Sequence, residues 1–452
     1  MKVVIIGAGE VGFHIARRLA SEAKEVVIVD SSSKALKRII EYVDVQTIEG
    51  SGSDPAALEE AGIREADILL AVTDSDEINI IACTFAVALA PKVVTLARIR
   101  KDEYIRFQNG KALEMLKIDK AINPDVEVVK TIERLINVPG AEEINDFAEG
   151  RIKFVGYRVA GGPVVGVNMV NIRSVIGISD VIIAAIVRDE HLIIPSGSDV
   201  IQKNDLVYFA CFKDRVNEVL TRMGSTAGVV RNVLIIGGGA IGLRLARSLE
   251  TSLHVKLIDS DPDRCQELAQ ELHKTLVLLG DGRDQDLLAE ENVHEMDVVI
   301  SLTGDEETNI LTSLLCKKLG ARKAVTRINK FAYFALVRAV GIEQTVSPRL
   351  AAVNSILQYM RKGKVLSAAS IKGDEAEALE AVALANSDIV GQAIRELKLP
   401  KGALILSIQR GEEVIFPTGD SVIAPDDRIL ILSTRKNIGR IEKRLMVKLE
   451  YF

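Results

Sequence analysis

The 452-residue chain has no tryptophan, four cysteines, five histidines and eleven prolines, and only 4% of it is aromatic. Cys83, Cys211, Cys265 and Cys316 are widely separated with no C-x-x-C pair, which excludes a zinc knuckle and a dithiol redox motif. His14, His191, His254, His273 and His294 form no H-x-x-x-H pair and have no cysteine neighbour, so they read as helix or loop surface. An excess of either charge is missing too. Fifty-seven Lys and Arg against 63 Asp and Glu leave a net charge of −6. That is without the basic surplus by which proteins release counterions from nucleic acid, so no nucleic-acid partner is expected. The longest apolar runs, residues 80–90 and 181–187, fall short of the roughly 18–20 residues that cross a bilayer. The first residues pass from Met1-Lys2 directly into a strand pattern without the layout of a secretory signal, and the expected compartment is the cytosol.

What the chain does have, it has twice. Residues 3–6 form a β-type run that feeds Gly7-Ala8-Gly9-Glu10-Val11-Gly12, a helix with Val11, Ile15 and Leu19 on one side, and a second run ending in Asp30. Residues 233–236 feed Gly237-Gly238-Gly239-Ala240-Ile241-Gly242, a helix with Ile241, Leu245 and Leu249, and a run ending in Asp259. The match continues: GSGSD at 50–54 with GDGRD at 280–284, and ADILLAVTDSDEINI at 66–80 with MDVVISLTGDEETNI at 296–310. VVTLAR ending in Arg98 matches AVTR ending in Arg327, and INPD at 122–125 matches VSPR at 346–349. Strands alternating with helices predict a parallel, doubly wound sheet in each copy.

Each unit is followed by a strand-rich segment in which an RDEH or RGEE hairpin, a P-[ST]-G pair and an N-D or D-D turn recur in order. The fold class is therefore α/β: two Rossmann-type doubly wound parallel-sheet domains, each followed by a small α+β domain. The expected domains are residues 1–137, 138–222, 229–362 and 363–452, with boundaries in the stretches 138–150, 223–228 and RKGK at 361–364.

In G-x-G-x-x-G the first glycine permits the tight strand-to-helix turn, the second admits a pyrophosphate to the backbone, and the third lets helix and strand pack closely. Asp30, 18 residues after Gly12, can accept ribose hydroxyls and disfavours a 2′-phosphate, so NAD(H) is preferred to NADP(H). The same carboxylate suits the ribose of ATP, ADP or AMP. Thr73, Arg98 and the G-x-G-x-D loops fall at the carboxyl ends of further strands, where such sheets collect ligands. Arg98 and Arg327 could bind phosphate or serve as structural ion-pair partners. Asp54 and Asp284 read as loop or helix-cap residues. No paired proton-transfer group recurs in the small modules, which favours a sensor over the alternative of a duplicated NAD-dependent oxidoreductase.

GAGEVG with Asp30, GSGSD, AVTDSDEIN and LAR, repeated as GGGAIG with Asp259, GDGRD, SLTGDEETN and VTR, resemble the N-terminal modules of the RCK (KTN) family. The segments that follow resemble its C-terminal modules, and the likeness covers essentially the whole chain. It implies a non-enzymatic regulatory subunit of a Trk-type potassium uptake system. Such a subunit forms a homo-oligomer, a tetramer by analogy, at the cytoplasmic face of the inner membrane. It docks on a TrkH-type membrane potassium-translocating subunit and responds to NAD(H) and ATP/ADP or AMP. The first implied site is Gly7, Ala8, Gly9, Glu10, Val11, Asp30, Thr73, Asp74 and Arg98. The second is Gly237, Gly238, Gly239, Ala240, Ile241, Asp259, Thr303 and Arg327. The copies differ at Glu10 against Ala240, Ser51 against Asp281 and Asp74 against Gly304.

Overall fold

The computed structural model describes residues 1–107, 111–330, 333–342, 344–360, 367–371 and 375–445. The boundary expected at 361–364 lies outside them. The described chain falls into two compact units, one made of residues 1–132 and 231–357, the other of 133–230 and 358–452.

The first unit holds two six-stranded parallel sheets. One is built from β1 (Lys2–Ile6), β2 (Glu25–Asp30), β3 (Gln46–Glu49), β4 (Ile68–Ala71), β5 (Val94–Arg98) and β6 (Lys120–Ile122), in the order β3-β2-β1-β4-β5-β6. The neighbours are parallel throughout. Covered on both faces, β1 and β4 are near-continuous apolar runs, as buried parallel strands must be. Val11, Ile15 and Leu19 point the helix Glu10–Ser21 at this sheet, and all three are buried. Strand order reverses between β1 and β4, so the crevice at their carboxyl ends is the place for a ligand.

The second unit begins with a five-stranded antiparallel sheet of β7 (Glu143–Phe147), β8 (Ile152–Arg158), β9 (Val181–Arg188), β10 (His191–Ile193) and β11 (Leu206–Phe212). Its order is β10-β9-β11-β8-β7. The doubly wound sheet of the first unit is then repeated by β12 (Asn232–Ile236), β13 (His254–Asp259), β14 (Leu276–Leu279), β15 (Val298–Ser301), β16 (Ala324–Arg327) and β17 (Gln344–Val346), in the matching order β14-β13-β12-β15-β16-β17. The antiparallel sheet recurs as β18 (Ser367–Ile371), β19 (Ala376–Val382), β20 (Ala403–Arg410), β21 (Glu413–Ile415) and β22 (Arg428–Thr434). Its order, β18-β19-β22-β20-β21, is that of the first antiparallel sheet read from the other edge.

These two antiparallel sheets share one core, in which Phe147, Phe154 and Tyr208 lie with Leu406, Leu430 and Leu432. The expected hairpins are present. The RDEH hairpin turns through Asp189 and Glu190 at positive φ, and the RGEE hairpin through Gly411. The repeated N-D and D-D turns place a carboxylate in the core: Asp205 holds Arg188 at 2.7 Å, and Asp427 holds Arg410 at 2.7 Å. Both aspartates are almost wholly buried, so each arginine satisfies a charge that would otherwise be costly to bury.

Candidate functional site

β1 ends at Ile6, and Gly7 turns the chain at φ +109°, a conformation that costs glycine little. Its N–H donates to the Val29 carbonyl at 2.8 Å, while a Cβ there would lie 3.0 Å from the Thr73 nitrogen. The turn therefore rests against the end of β4, at the switch point. At Gly12 a Cβ would sit 1.9 Å from the Gly7 carbonyl oxygen, so no side chain fits between turn and helix. Gly9 is the opposite case, with nothing within 4 Å of where its Cβ would be. Gly9 is also the N-cap of the helix Glu10–Ser21, and no side chain caps it. The leading N–H groups of that helix and its positive dipole end are left for an anion.

The second turn repeats each feature. Gly237 has φ +104° and donates to the Ile258 carbonyl at 2.9 Å. A Cβ at Gly242 would lie 2.0 Å from the Gly237 oxygen, and Gly239 again opens on nothing within 4 Å. Gly239 is the uncapped N-cap of the helix Ala240–Leu249.

Asp30 accepts the N–H of Ala8 at 2.6 Å through Oδ2 and that of Ser32 at 2.7 Å through Oδ1. Asp259 does the same with Gly238 at 2.6 Å and Asp261 at 2.9 Å. Each carboxylate is fixed against its glycine turn, with further lone pairs for ribose hydroxyls. Around them the copies diverge. Glu10 binds Arg38 at 2.5 Å and approaches His14 at 3.6 Å, and Arg38 lies over the Phe13 ring at 4.7 Å. Burial would raise the Glu10 carboxyl, but Arg38 outweighs it and holds the group below the usual range. Ala240 supplies no such carboxylate. In the second turn Arg264 Nε instead donates to the Gly238 carbonyl at 2.8 Å. A Cβ at Gly238 would lie 2.3 Å from Leu268 Cδ1, which explains the middle glycine of GGG.

Thr73 and Thr303 sit beside the turns, each fastened by an asparagine that sequence reasoning did not single out. Fully buried Asn79 accepts the Thr73 N–H at 2.9 Å and its hydroxyl at 2.7 Å, and donates to the carbonyls of Thr73 at 3.1 Å and Arg98 at 2.8 Å. Asn309 makes the same four bonds to Thr303 and Arg327. Ties between β4 and β5, and between β15 and β16, thus set where each arginine starts. The signal was a polar residue repeated at one place in DEINI and EETNI.

Arg98 Nη1 donates to Asp74 at 2.9 Å, and Arg100 reaches the same carboxylate oxygen at 2.7 Å. Arg327 has Gly304 where Asp74 would be, and among the described residues its Nη1 reaches only the carbonyls of Leu302 and Thr303, each at 3.4 Å. In both arginines Nε is buried with no hydrogen-bond partner among the described residues. Burial holds both guanidinium pKa values below the ordinary one, with Arg100 adding like-charge repulsion at Arg98. At Asp74 partial desolvation by its neighbours would raise the carboxyl, but Arg98 and Arg100 hold it below its usual value.

Asp54 and Asp284 are cap residues: Asp54 accepts the Ala56 N–H at 2.9 Å and Asp284 that of Asp286 at 2.9 Å. The acidic turns also cap, through Ser75 Oγ in the first copy and Asp305 in the second. Among the described residues no group of His, Cys, Asp and Glu is placed to hold a metal ion.

The TrkA-N domain family matches residues 3–124 and 233–348, and the TrkA-C domain family matches residues 154–224 and 379–446. The Trk system potassium uptake protein TrkA of Haemophilus influenzae is 39% identical over 453 residues, covering 98% of each chain. The chain belongs to the TrkA family. TrkA of Halomonas elongata is 36% identical over 457 residues and the whole of both chains, and TrkA homolog 1 of Methanosarcina mazei is 36% identical over 98% of this chain and 99% of its own. Among solved structures, the GsuK RCK domain has a TM-score of 0.59 at 18% identity, covering 98% of this chain and 94% of that one. The GsuK channel bound to NAD has a TM-score of 0.60 at 18% identity, covering 98% of this chain and 78% of that one. Both confirm the expected RCK fold: TrkA-N domains of Rossmann type, each followed by a TrkA-C domain.

Proposed function

We propose that both glycine turns bind nucleotide and that the chain is a regulatory subunit of a Trk potassium uptake system. The ligand is NAD(H), with ATP, ADP or AMP as the alternative that shares its adenosine. The observation that carries this reading is the pair of open cradles at Gly9 and Gly239, each at an uncapped helix end beside a fixed carboxylate. The residues fit such a group: the cradle takes pyrophosphate, Asp30 or Asp259 takes ribose, and the unpartnered Nε of Arg98 or Arg327 is a donor for phosphate. Support from relatives is that the TrkA proteins are named for potassium uptake, and that the GsuK channel, of like fold, is described with NAD.

The nucleotide acts as a regulatory ligand without turnover. It biases the packing of the doubly wound sheets, and a homo-oligomer, a tetramer by analogy, transmits that bias to a TrkH-type membrane potassium-translocating subunit. No described helix is long and apolar enough to cross a membrane. In this reading the subunit docks peripherally at the cytoplasmic face of the inner membrane. A ligand shifts such an equilibrium only by its differential affinity for the two states, about 1.4 kcal/mol per site for a tenfold preference, so several coupled sites are needed. Calorimetry with NADH and with ATP tests binding, and potassium flux in liposomes containing the transport partner tests gating. Steady oxidation of NADH with a simple carbonyl substrate would favour the duplicated oxidoreductase instead.

A further inference from the structure

We propose that the ion pair between Asp102 and Arg244 couples the two nucleotide sites of one chain, so that filling the first stiffens the glycine turn of the second. The inference rests on the reading that both turns bind nucleotide.

Residues 98–102 form a strap leaving β5. Arg98 and Arg100 hold Asp74 at the first site. Asp76 accepts the N–H groups of Arg100 at 3.0 Å and Lys101 at 2.9 Å, which pins the middle of the strap. Asn123 Nδ2 donates to the Arg100 carbonyl at 2.9 Å and to Asp102 at 3.2 Å. So fastened, the strap moves as a piece. At its far end Asp102 meets Arg244 Nη2 at 2.5 Å. Both side chains are 24% exposed, which limits screening by water and salt. Among the described residues Asp102 is the only carboxylate paired with Arg244, whose Nε is buried and unbonded.

Arg244 stands one turn into the helix Ala240–Leu249, whose uncapped N-terminus is the second cradle. A phosphate at the first site competes with Asp74 for Arg98 and Arg100. Any change in how those guanidiniums are held passes along the strap to Asp102, and from there to the helix that presents the second cradle. The repeat does not supply a return link. The positions corresponding to Asp102 and Arg244 are Phe331 and His14, and a phenylalanine cannot make the pair. Divergence after duplication has therefore left this pair without a counterpart in the repeat, joining two unlike sites, and by linkage its effect on affinity is felt at both ends.

The test is hydrogen exchange on the full chain carrying Gly239→Ala, whose methyl group enters the second cradle without a clash because nothing lies within 4 Å of that Cβ position. NADH and ATP are the probes. Exchange should slow in peptides covering residues 7–22 and, by about fivefold, in those covering 240–249. Arg244→Gln or Asp102→Asn should keep the first effect and abolish the second, and the swap Asp102→Arg with Arg244→Asp should restore it. Protection at 7–22 with none at 240–249 in the parent, or equal protection of 240–249 in the variants, overturns the coupling and leaves nucleotide binding standing. No protection at 7–22 with either probe overturns the binding reading, and the coupling with it.

Discussion

Where the first module has Asp74, the second has Gly304, and two buried arginines on matching strands meet opposite surroundings. Arg98 is already neutralised, sharing one carboxylate oxygen with Arg100, whereas Arg327 hydrogen-bonds only to carbonyls among the described residues, with Asp125 and Glu306 acting on it from further off. The cores beneath differ in the same direction. Ala71, Cys83 and Ala97 of the first are replaced by Ser301, Ser313 and Thr326, whose hydroxyls bond in a buried chain at 3.0 and 2.7 Å. Duplication kept what the turn requires, namely glycines, carboxylate and asparagine latch, and let the charge beside it drift. A phosphate entering the first site must displace a carboxylate from two arginines. In the second site it meets a desolvated cation with no carboxylate bonded to it among the described residues.

The features held in common give the largest expected effects. Gly12→Ala or Gly242→Ala forces a methyl group to within 2.0 Å or less of a carbonyl oxygen. Its module should lose about 3 kcal/mol of stability together with its nucleotide site. Gly9→Ala or Gly239→Ala should leave stability nearly unchanged and remove nucleotide binding, since the new methyl group enters only the open space proposed for pyrophosphate. Thermal melts alongside calorimetry separate the two outcomes. Equal loss of stability at Gly9 and Gly12 would show that the cradle is a packing device.

Next come the ribose carboxylates. Asp30→Ala and Asp259→Ala should each weaken NADH by about 2 kcal/mol, the scale of hydrogen bonds to a charged group. Part of that loss arises because the N–H groups of Ala8 and Gly238 lose their acceptor. Calorimetry on the single variants should show the two sites responding alike, and a change in only one would confine nucleotide to that module.

Acid should separate the modules. Burial, then Arg17, lowers His14 to about 4, while Glu10 opposes them. Folded His14 resists protonation, so as pH falls below the ordinary value near 6.5 the unfolded chain takes the proton first. The first module then loses stability progressively until pH about 4, by roughly 1–2 kcal/mol after allowing for screening. The second module has Arg244 at that position and lacks this dependence. Amide protection of β1 and β12, compared between pH 7 and 4.5, measures the difference, and His14→Leu should abolish it.

The glycine turns, Asp30 and Asp259, and both kinds of sheet were legible in the sequence, because their spacing follows from backbone geometry that tolerates few residue types. Asp54 and Asp284 were legible as caps for the same reason, lying just before helical runs. The asparagine latch was written twice yet passed over, since a polar residue on a helix reads as surface until the strand ends it ties are known. Arg38, Arg264 and the Asp102–Arg244 pair were not legible. Each depends on how one loop or module lies against another, and no period in the sequence encodes that.

The smallest expected effect addresses the opening contrast directly. If Asp74 competes with phosphate for Arg98 and Arg100, Asp74→Ala should tighten nucleotide binding at the first site. The converse substitution, Gly304→Asp, should weaken the second by supplying Arg327 with a carboxylate. Gly304 can accept the change, as no atom lies within 4 Å of a Cβ there and its φ is not in the left-handed region. Asp74 is largely exposed, so water screens the competition and the expected shift is about 1 kcal/mol in each direction, some fivefold in affinity. Raising salt should shrink both shifts together, because each is a difference between two screened ion pairs. Titrations at low and moderate salt with ATP and NADH read this out. Opposite signs in the two variants would establish that the charge beside the strand end tunes each site. Weakening in both would mean that Asp74 positions Arg98 for the ligand, and that the second module binds by a different arrangement of its arginine.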